Sequence, residues 1–181
     1  WDNEIRSVAM IVVGGSGICT GALINNSCSD GTPYFLTANH CLGGSTGSWA
    51  FRFNWQSPPG TESCATTAGS TDPGPPYDQT ANGATTLVNS GASDYALLEI
   101  DNMSLSDAQN WNCYFAGWDA SDLTTVTEAT GIHHPSGDVK KICRENDAPY
   151  HSNAGGAAVW YIDEWEEGVT EPGSSGSPLF D

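Results

Sequence analysis

This chain has 181 residues, enough for one substantial hydrophobic core or two smaller ones. Its formal net charge of −17 comes from 22 acidic residues against five lysines and arginines. Such a surface repels phosphate backbones, so nucleic acid is not an expected partner, and since no stretch approaches the ~18 consecutive apolar residues of a membrane span, no membrane contact is expected.

Short apolar runs separated by Gly, Pro, Asn, Asp and Ser predict an all-β fold. In chain order the predicted strands occupy residues 5–13, 17–24, 34–36, 48–54, 84–89, 95–100, 112–118, 124–130, 139–143 and 157–162. A helical turn is predicted at 38–42. Residues 56–82 are rich in Pro, Gly, Ser and Thr and predict one long loop, and a polar stretch at 101–109 separates a first unit, residues 1–105, from a second, residues 106–181.

Three motifs in chain order carry a histidine, an aspartate and a serine. His40 lies in the segment TANHC, Asp94 directly precedes the apolar run YALLEI, and Ser175 lies in GSSGSP. A serine becomes a nucleophile when a neighbouring imidazole takes its proton, and the imidazole needs a carboxylate to hold its tautomer and stabilise its charged form. We therefore predict that Ser175 is a nucleophile, His40 its general base and Asp94 the acid that orients the histidine.

Other residues compete for these roles by residue type alone. They are Ser174, Ser177, His133, His134, Asp72 and Asp78. The two histidines precede a proline in a predicted loop and are interpreted as structural, and Ser174→Ala is expected to be mild because its hydroxyl has no assigned part in the chemistry. The acidic run at 163–167 fits no calcium loop and is interpreted as a solvated face, so no metal and no cofactor is expected.

The histidine and serine motifs resemble those of chymotrypsin-like serine peptidases, T-A-x-H-C and G-x-S-G-x-P. Longer segments are similar to the secreted bacterial lysyl endopeptidases: CTGALINN at 19–26, YFLTA at 34–38, AGWD at 116–119, IHHP at 132–135 and GVTEPG at 168–173. The likeness covers most of the chain, and its segments follow the order of the family.

The resemblance implies an all-β, chymotrypsin-like double β-barrel with a cleft between the barrels. His40 and Asp94 would belong to the first barrel and Ser175 to the second, and the backbone N–H groups of Gly173 and Ser175 would form the oxyanion hole. The second barrel is expected to be incomplete, because in the family two further strands and usually a terminal helix follow the serine. Many animal trypsin-like enzymes have an aspartate where this chain has Ser174, and it pairs with the N-terminal amine that zymogen cleavage creates. This activation switch is therefore expected to be absent here.

The resemblance also implies an extracellular serine endopeptidase, a monomer that acts on proteins or peptides after removal of any signal peptide. The family selects lysine with an acidic pocket residue that follows the serine, outside residues 1–181. Lysine-directed cleavage is therefore an expectation from the resemblance alone. The alternatives are a catalytically silent, protease-like module that binds peptides, and an inactive fragment.

Six cysteines without a C-x-x-C pair indicate an extracellular disulfide framework. The resemblance implies a bridge between Cys19 and Cys41. In the family a cysteine near the position of Cys64 pairs with one upstream of this chain's first residue. A bridge between Cys113 and Cys143 would join two strands of the second unit, and the remaining cysteine is unassigned.

Overall fold

The structure, a computed structural model, describes residues 1–58, 60–61, 77–120 and 125–181. Its strands are β1 Val8–Val13, β2 Ser16–Ile24, β3 Tyr34–Thr37, β4 Ala50–Phe53, β5 Thr80–Asn82, β6 Ala84–Ser90, β7 Tyr95–Ile100, β8 Ala129–His133, β9 Lys141–Glu145, β10 Tyr150–Ala154, β11 Ala157–Tyr161 and β12 Leu179–Phe180. The α-helix of these described ranges, α1, is Leu105–Asn110, and short 3₁₀ turns lie at Glu4–Ser7, Asn39–Cys41, Thr46–Ser48 and Pro135–Gly137. The predicted all-β class is confirmed. Across the described ranges, no helix has the length and apolar character needed to span a membrane.

Seven strands form one antiparallel sheet in the order β5-β4-β1-β2-β3-β7-β6. Strands β5 and β6 lie at its opposite edges, yet Gly83 alone connects Asn82 to Ala84. Neighbouring strands lie ~4.8 Å apart, so the edges of a flat seven-stranded sheet would be separated by about 29 Å. A single connecting residue spans less than about 8 Å. The sheet must therefore curl until the end of β5 meets the start of β6, and this curled sheet is the first barrel.

Aromatic and branched side chains fill the interior of this barrel. Phe35, Phe51 and Leu98 are fully buried there. The ring of Phe35 meets that of Phe51 edge-on, with centroids 4.9 Å apart, a favourable arrangement of two ring quadrupoles. Since β3 and β7 carry the histidine and aspartate motifs at their ends, this core also sets the position of those motifs.

Strand β1 is buried along its length because both of its faces are covered. Ile11 belongs to the core of the barrel. On the other face, Val8 packs with Ile132 of β8, and Met10 packs with Val139. The second half of the chain therefore packs against the outside of the barrel.

Strand β8 is the centre of a second, three-stranded antiparallel sheet with the order β12-β8-β9, and β10 and β11 form a separate hairpin. Every residue of β8 is buried. Leu179 pairs with Gly131 in antiparallel register, so the residues just before Leu179 lie beside those that follow Gly131. This register brings the serine motif next to His133.

Most predicted strands are confirmed to within a few residues, but the one at 112–118 is wrong. After a turn at Asn112 the chain there is irregular, with an isolated parallel bridge between Ile24 and Ala116. Cys113 and Phe115 are partly buried against the barrel core. Packing of these side chains, rather than a hydrogen-bonded ladder, accounts for the apolar alternation that predicted a strand.

Other elements of the structure begin or end at residues different from those predicted. The strand predicted at 124–130 runs instead from Ala129 to His133, and β10 was not predicted. Strand β5 occupies the end of the predicted long loop, of which residues 62–76 lie outside the described residues. Helix α1 begins at a capping box in the polar stretch, where Ser104 and Asp107 bind each other's main-chain N–H.

The disulfide between Cys19 and Cys41 is present, with 6.3 Å between the Cα atoms, which confirms that pairing. The free cysteines of the described part are Cys28, Cys113 and Cys143. The bridge predicted between the last two is therefore wrong, and burial raises the pKa of each of these two thiols to about 11. Cys64 lies outside the described residues.

Candidate active site

His40 and Asp94 are bound to each other at two points. The Asp94 Oδ2 atom lies 2.6 Å from Nδ1 of the His40 ring, and the main-chain N–H of His40 donates to Asp94 Oδ1 at 2.9 Å. The main-chain N–H of Asn39 also donates to the Asp94 carbonyl at 3.1 Å. These bonds fix both the ring and the carboxylate.

Strand pairing explains why two residues 54 positions apart meet. Strands β3 and β7 are antiparallel neighbours, with Thr37 paired to Ala96. The residues that follow β3 therefore lie beside those that precede β7. His40 follows β3 in a 3₁₀ turn, and Asp94 precedes β7 with a φ of 49°, in the left-handed region that aspartate tolerates better than most residues.

The electrostatics of the pair leave the second ring nitrogen of His40 as a base. Partial burial acts to raise the pKa of Asp94, but the hydrogen bonds from the main chain and ring of His40 outweigh it and hold that pKa below its ordinary value. An ionised carboxylate only accepts hydrogen bonds, so Nδ1 carries a proton. In the neutral ring, Nε2 then keeps a free lone pair, and 55% of the His40 side chain is exposed to solvent.

The main chain of Ser175 lies against the disulfide of the histidine loop. Its carbonyl accepts a hydrogen bond from Thr20 N at 2.8 Å and lies 3.8 Å from the Cys41 sulfur. A ring nitrogen of His40 lies within 4.8 Å of both sulfurs of the bridge. Among the described residues the Ser175 hydroxyl has no hydrogen-bond partner, and the His40 ring bonds only to its carboxylate.

Two glycines of the serine motif occupy positions that exclude a side chain. Gly173 has a φ of +100°, and a Cβ there would lie 2.8 Å from the His134 carbonyl oxygen. Gly176 has a φ of +81°, and a Cβ there would collide with the Thr20 carbonyl oxygen. Both conformations are readily accessible only to glycine. The spacing of glycines in GSSGSP is therefore a requirement of this turn.

The backbone N–H groups of Gly173 and Ser175 have no acceptor in the described part of the chain, whereas the carbonyls beside them are bound. The carbonyl that precedes Gly173 accepts a hydrogen bond from Ser136 N at 2.6 Å, and the one that precedes Ser175 accepts from Ser177 N at 3.0 Å. In a trans peptide the N–H points away from the C=O. Each bond thus turns the next N–H outward, and neither N–H donates to any described residue.

Ser174 and His133 form a buried pair whose contact the sequence does not reveal. The Ser174 hydroxyl lies 2.7 Å from Nδ1 of His133, and both residues are buried. Burial lowers the pKa of His133 to about 4, so the ring is neutral at pH 7. The IHHP segment is the one sequence signal for this position. Its buried hydroxyl makes Ser174 a poor candidate for the nucleophile.

The other competing residues lie in different settings. His134 is fully buried, with Nδ1 3.0 Å from the Asp138 carbonyl oxygen. Burial holds its pKa well below the ordinary value, in keeping with a structural histidine. Asp78 is exposed, and Asp72 lies outside the described residues.

Within the described ranges, two groups of side chains place metal-ligating atom types within 4.8 Å of one another. They are Cys19, His40 and Cys41, and Glu145, Asp147 and Glu166. In the first group the two sulfurs are bonded to each other and offer no thiolate to a metal. The second is a cluster of acidic side chains, and exposed carboxylates commonly gather without an ion.

A barrel that presents a histidine–aspartate pair at one end, with a Gly-x-Ser-Gly turn against its disulfide, defines a chymotrypsin-like serine peptidase. The chain belongs to the family described as lysyl endopeptidase, C-terminal domain, whose model matches residues 1–181. It is 29% identical over 192 residues to the lysyl endopeptidase of Pseudomonas aeruginosa. That alignment covers 99% of this chain and 38% of the relative, so the chain spans well under half of the relative's length. The resemblance seen in the motifs is confirmed.

Solved protease structures share the fold at low identity. Rv3671c of M. tuberculosis is 14% identical with a TM-score of 0.56, over 99% of this chain and 71% of that one. The thermostable serine protease AL20 from an extremophilic microorganism is 13% identical with a TM-score of 0.57, over 98% and 79%. The HtrA-type protease AlgW with tripeptide is 16% identical with a TM-score of 0.59, over 99% and 48%. The chymotrypsin-like fold is confirmed, with an open three-stranded sheet and a hairpin in place of a complete second barrel among the described residues.

Proposed function

We propose that this chain carries the catalytic residues of a secreted serine endopeptidase, with Ser175 as nucleophile, His40 as general base and Asp94 as orienting acid. The observation that carries the proposal is the pair of hydrogen bonds that the main-chain N–H and the ring Nδ1 of His40 make with the Asp94 carboxylate. It gives the ring a fixed tautomer with Nε2 as the free base. The main chain of Ser175 contacts the disulfide that closes the histidine loop, which supports its assignment as the partner of that base.

The proposed reaction proceeds through an acyl-enzyme. Nε2 of His40 takes the proton of the Ser175 hydroxyl while the oxygen attacks the peptide carbonyl. The imidazolium then gives this proton to the leaving amine, and the peptide bond breaks. A water molecule attacks the ester while His40 takes its proton. The imidazolium then gives that proton to the Ser175 oxygen as the ester bond breaks and the acid leaves. The Asp94 carboxylate stabilises the charged imidazolium in both steps.

The oxyanion hole is proposed to consist of the N–H groups of Gly173 and Ser175. This proposal is supported because neither N–H donates to a residue that the structure describes, while the adjoining carbonyls are bound. Donors held in place before the reaction stabilise the negative oxygen of the tetrahedral intermediate by roughly 3–4 kcal/mol each. Glycine at 173 is needed because of its left-handed backbone.

Proteins or peptides are the substrates that this chemistry implies. The relative from Pseudomonas aeruginosa is named for cleavage at lysine, and we extend that preference to this chain as part of the proposal. A net charge of −17 favours the approach of basic peptides. An extracellular location is supported by the disulfide between Cys19 and Cys41.

Labelling of the full-length protein with a fluorophosphonate tests the proposed function. The reagent should modify Ser175, mapped by mass spectrometry, and Ser175→Ala should not be labelled. The main alternative is a catalytically silent module, which would bind peptides without reacting. Peptide binding without labelling of the parent protein would favour that alternative and overturn the nucleophile assignment.

A further inference from the structure

The turn that carries the proposed oxyanion hole is held from one side by the segment His133–Ser136, which begins at the last residue of β8. Ser174 N donates to the Glu171 carbonyl at 2.9 Å, and Glu171 N donates to the Ser174 hydroxyl at 3.1 Å. The turn therefore closes on itself through Ser174. The turn is attached to the rest of the molecule through the hydrogen bonds of the Ser174 hydroxyl and of the neighbouring main-chain carbonyls.

The Ser174 hydroxyl is bound by a histidine whose ring makes no other hydrogen bond to the described residues. His133 Nδ1 lies 2.7 Å from Ser174 Oγ. The other ring nitrogen, Nε2, is buried without a hydrogen-bond partner in the described part of the chain. A buried nitrogen without a partner destabilises the fold. If this position served packing alone, an apolar side chain would fill it without that cost. Among the described residues, the hydrogen bond of this imidazole is with the residue before the proposed nucleophile.

Ser136 holds the other end of the same turn. Its N–H donates to the Pro172 carbonyl at 2.6 Å, and its hydroxyl donates to Glu171 Oε2 at 2.8 Å. Ser136 has a φ of 53°, an uncommon conformation for a residue other than glycine. This backbone presents the N–H to the carbonyl of the Pro172–Gly173 peptide, which sets the direction of the Gly173 N–H.

The segment is itself well supported. Strand β8 is buried and paired on both sides, by β9 and β12. The His134 N–H donates to Thr20 Oγ1 at 3.0 Å, and the same hydroxyl donates to the Gly173 carbonyl at 2.8 Å. The segment and the turn are thus both tied to β2 of the barrel.

We propose that His133 and Ser136 are positioning residues for the oxyanion hole, His133 acting through Ser174 and Ser136 through the Pro172–Gly173 peptide. The inference rests on the proposed function of Gly173 and Ser175. The neutral ring of His133 suits this role, because it bonds to a hydroxyl without placing a charge beside the developing oxyanion. This assignment also changes the expectation for Ser174→Ala, which removes the hydroxyl that His133 holds.

The test compares two substitutions of His133 in the full-length protein. His133→Leu removes the contact with Ser174, whereas His133→Asn keeps a polar group where Nδ1 lies. Loss of a complete oxyanion donor typically lowers kcat by ~10²–10³-fold, so a donor that is present but misplaced should cost about 10- to 100-fold. For His133→Leu and for Ser174→Ala we expect kcat to fall by about 10- to 100-fold, with KM within about 3-fold of the parent value. His133→Asn should recover most of kcat. The double variant with His133→Leu and Ser174→Ala should lose no more kcat than either single variant, because both changes break the same contact.

His134→Leu is the matched control, because it removes an adjacent, equally buried imidazole that binds Asp138 instead of the turn. It should lower stability and leave kcat near the parent value. Equal losses of kcat in His133→Leu and His134→Leu, or parent-like kcat in Ser174→Ala, would overturn the inference. Should His133→Leu fail to fold, the smaller change Ser174→Ala decides the question.

Amide hydrogen exchange separates failure of this inference from failure of the proposed function. The Ser174 amide, which donates to Glu171, should exchange faster in His133→Leu than in the parent or in His134→Leu. A parent protein without peptidase activity would refute the proposed function, while exchange at Ser174 would still decide whether His133 holds the turn. Unchanged exchange in His133→Leu contradicts the positioning role.

Discussion

Asp94 holds His40 with both of its carboxylate oxygens, Oδ1 through the main-chain N–H at 2.9 Å and Oδ2 at 2.6 Å from ring Nδ1. A carboxylate bound twice to one residue cannot rotate without breaking a bond. The arrangement fixes the ring plane as well as its tautomer. It makes the orientation of His40 depend on a single side chain.

Replacement of Asp94 by asparagine should therefore abolish most of the activity without unfolding the protein. The amide can donate to Nδ1 and stabilise the tautomer in which Nε2 carries the proton and cannot act as a base. We expect kcat to fall by about 10⁴-fold, the loss known for this substitution in a serine protease triad, with a small change in KM. The control is Asp78→Asn at an exposed position, which should keep the parent rate. A kcat within tenfold of the parent for Asp94→Asn contradicts its role.

Ser175→Ala should remove the acyl-enzyme route in the full-length protein. The expected fall in kcat is about 10⁶-fold, because loss of the nucleophile alone eliminates covalent catalysis. The assay uses fluorogenic peptides with Lys, Arg, Leu or Glu before the scissile bond, and the parent should cleave the lysine peptide fastest. Ser177→Ala, two residues away, is the matched control and should retain activity. Parent-like cleavage by Ser175→Ala would mean that another residue is the nucleophile.

Loss of the disulfide should destabilise the protein. The bridge joins residues 22 positions apart, and closing a loop of this size contributes about 3 kcal/mol to the free energy of unfolding. We expect the double substitution Cys19→Ser and Cys41→Ser to lower that free energy by about this amount in urea denaturation. Cys28→Ser, at an exposed free thiol, should change it by less than about 0.5 kcal/mol. Equal stability of the two variants would show that the bridge does not stabilise the fold.

Stability should fall as the pH is lowered from about 6.5 towards 4. The ordinary pKa of histidine is 6.5, and burial lowers that of His133 to about 4 in the folded protein. Between these values the unfolded chain binds a proton that the folded chain excludes, so the stabilisation is fully present above about pH 6.5 and is lost as the pH falls towards 4. For His133 the loss reaches at most about 3 kcal/mol, and His134 acts in the same direction.

Urea denaturation at pH 7 and pH 5.5 measures part of this effect above the range in which most carboxylates titrate. His133→Asn should reduce the difference in unfolding free energy between the two pH values. His151→Asn, at an exposed histidine in contact with Trp160, should leave the difference unchanged. An unchanged difference in His133→Asn would show that His133 does not carry the pH dependence.

Local signals account for what could be predicted and for what could not. Apolar alternation located most strands, since it reports one buried face of a sheet. The same signal failed at 112–118, where Cys113 and Phe115 are partly buried without a ladder. Helix α1 was missed because it has six residues and is defined mainly by its capping box.

The sequence by itself determined the all-β class, the family and the three residues proposed for catalysis, because each is encoded in a short run of neighbouring residues. Only the tertiary structure decided which side chains meet. The contact of His40 with Asp94 depends on the pairing of β3 with β7, and that of His133 with Ser174 depends on the register of β8 with β12. Strand pairing over long separations is set by the closure of the barrel and the packing of its core, and no local pattern of residues specifies these.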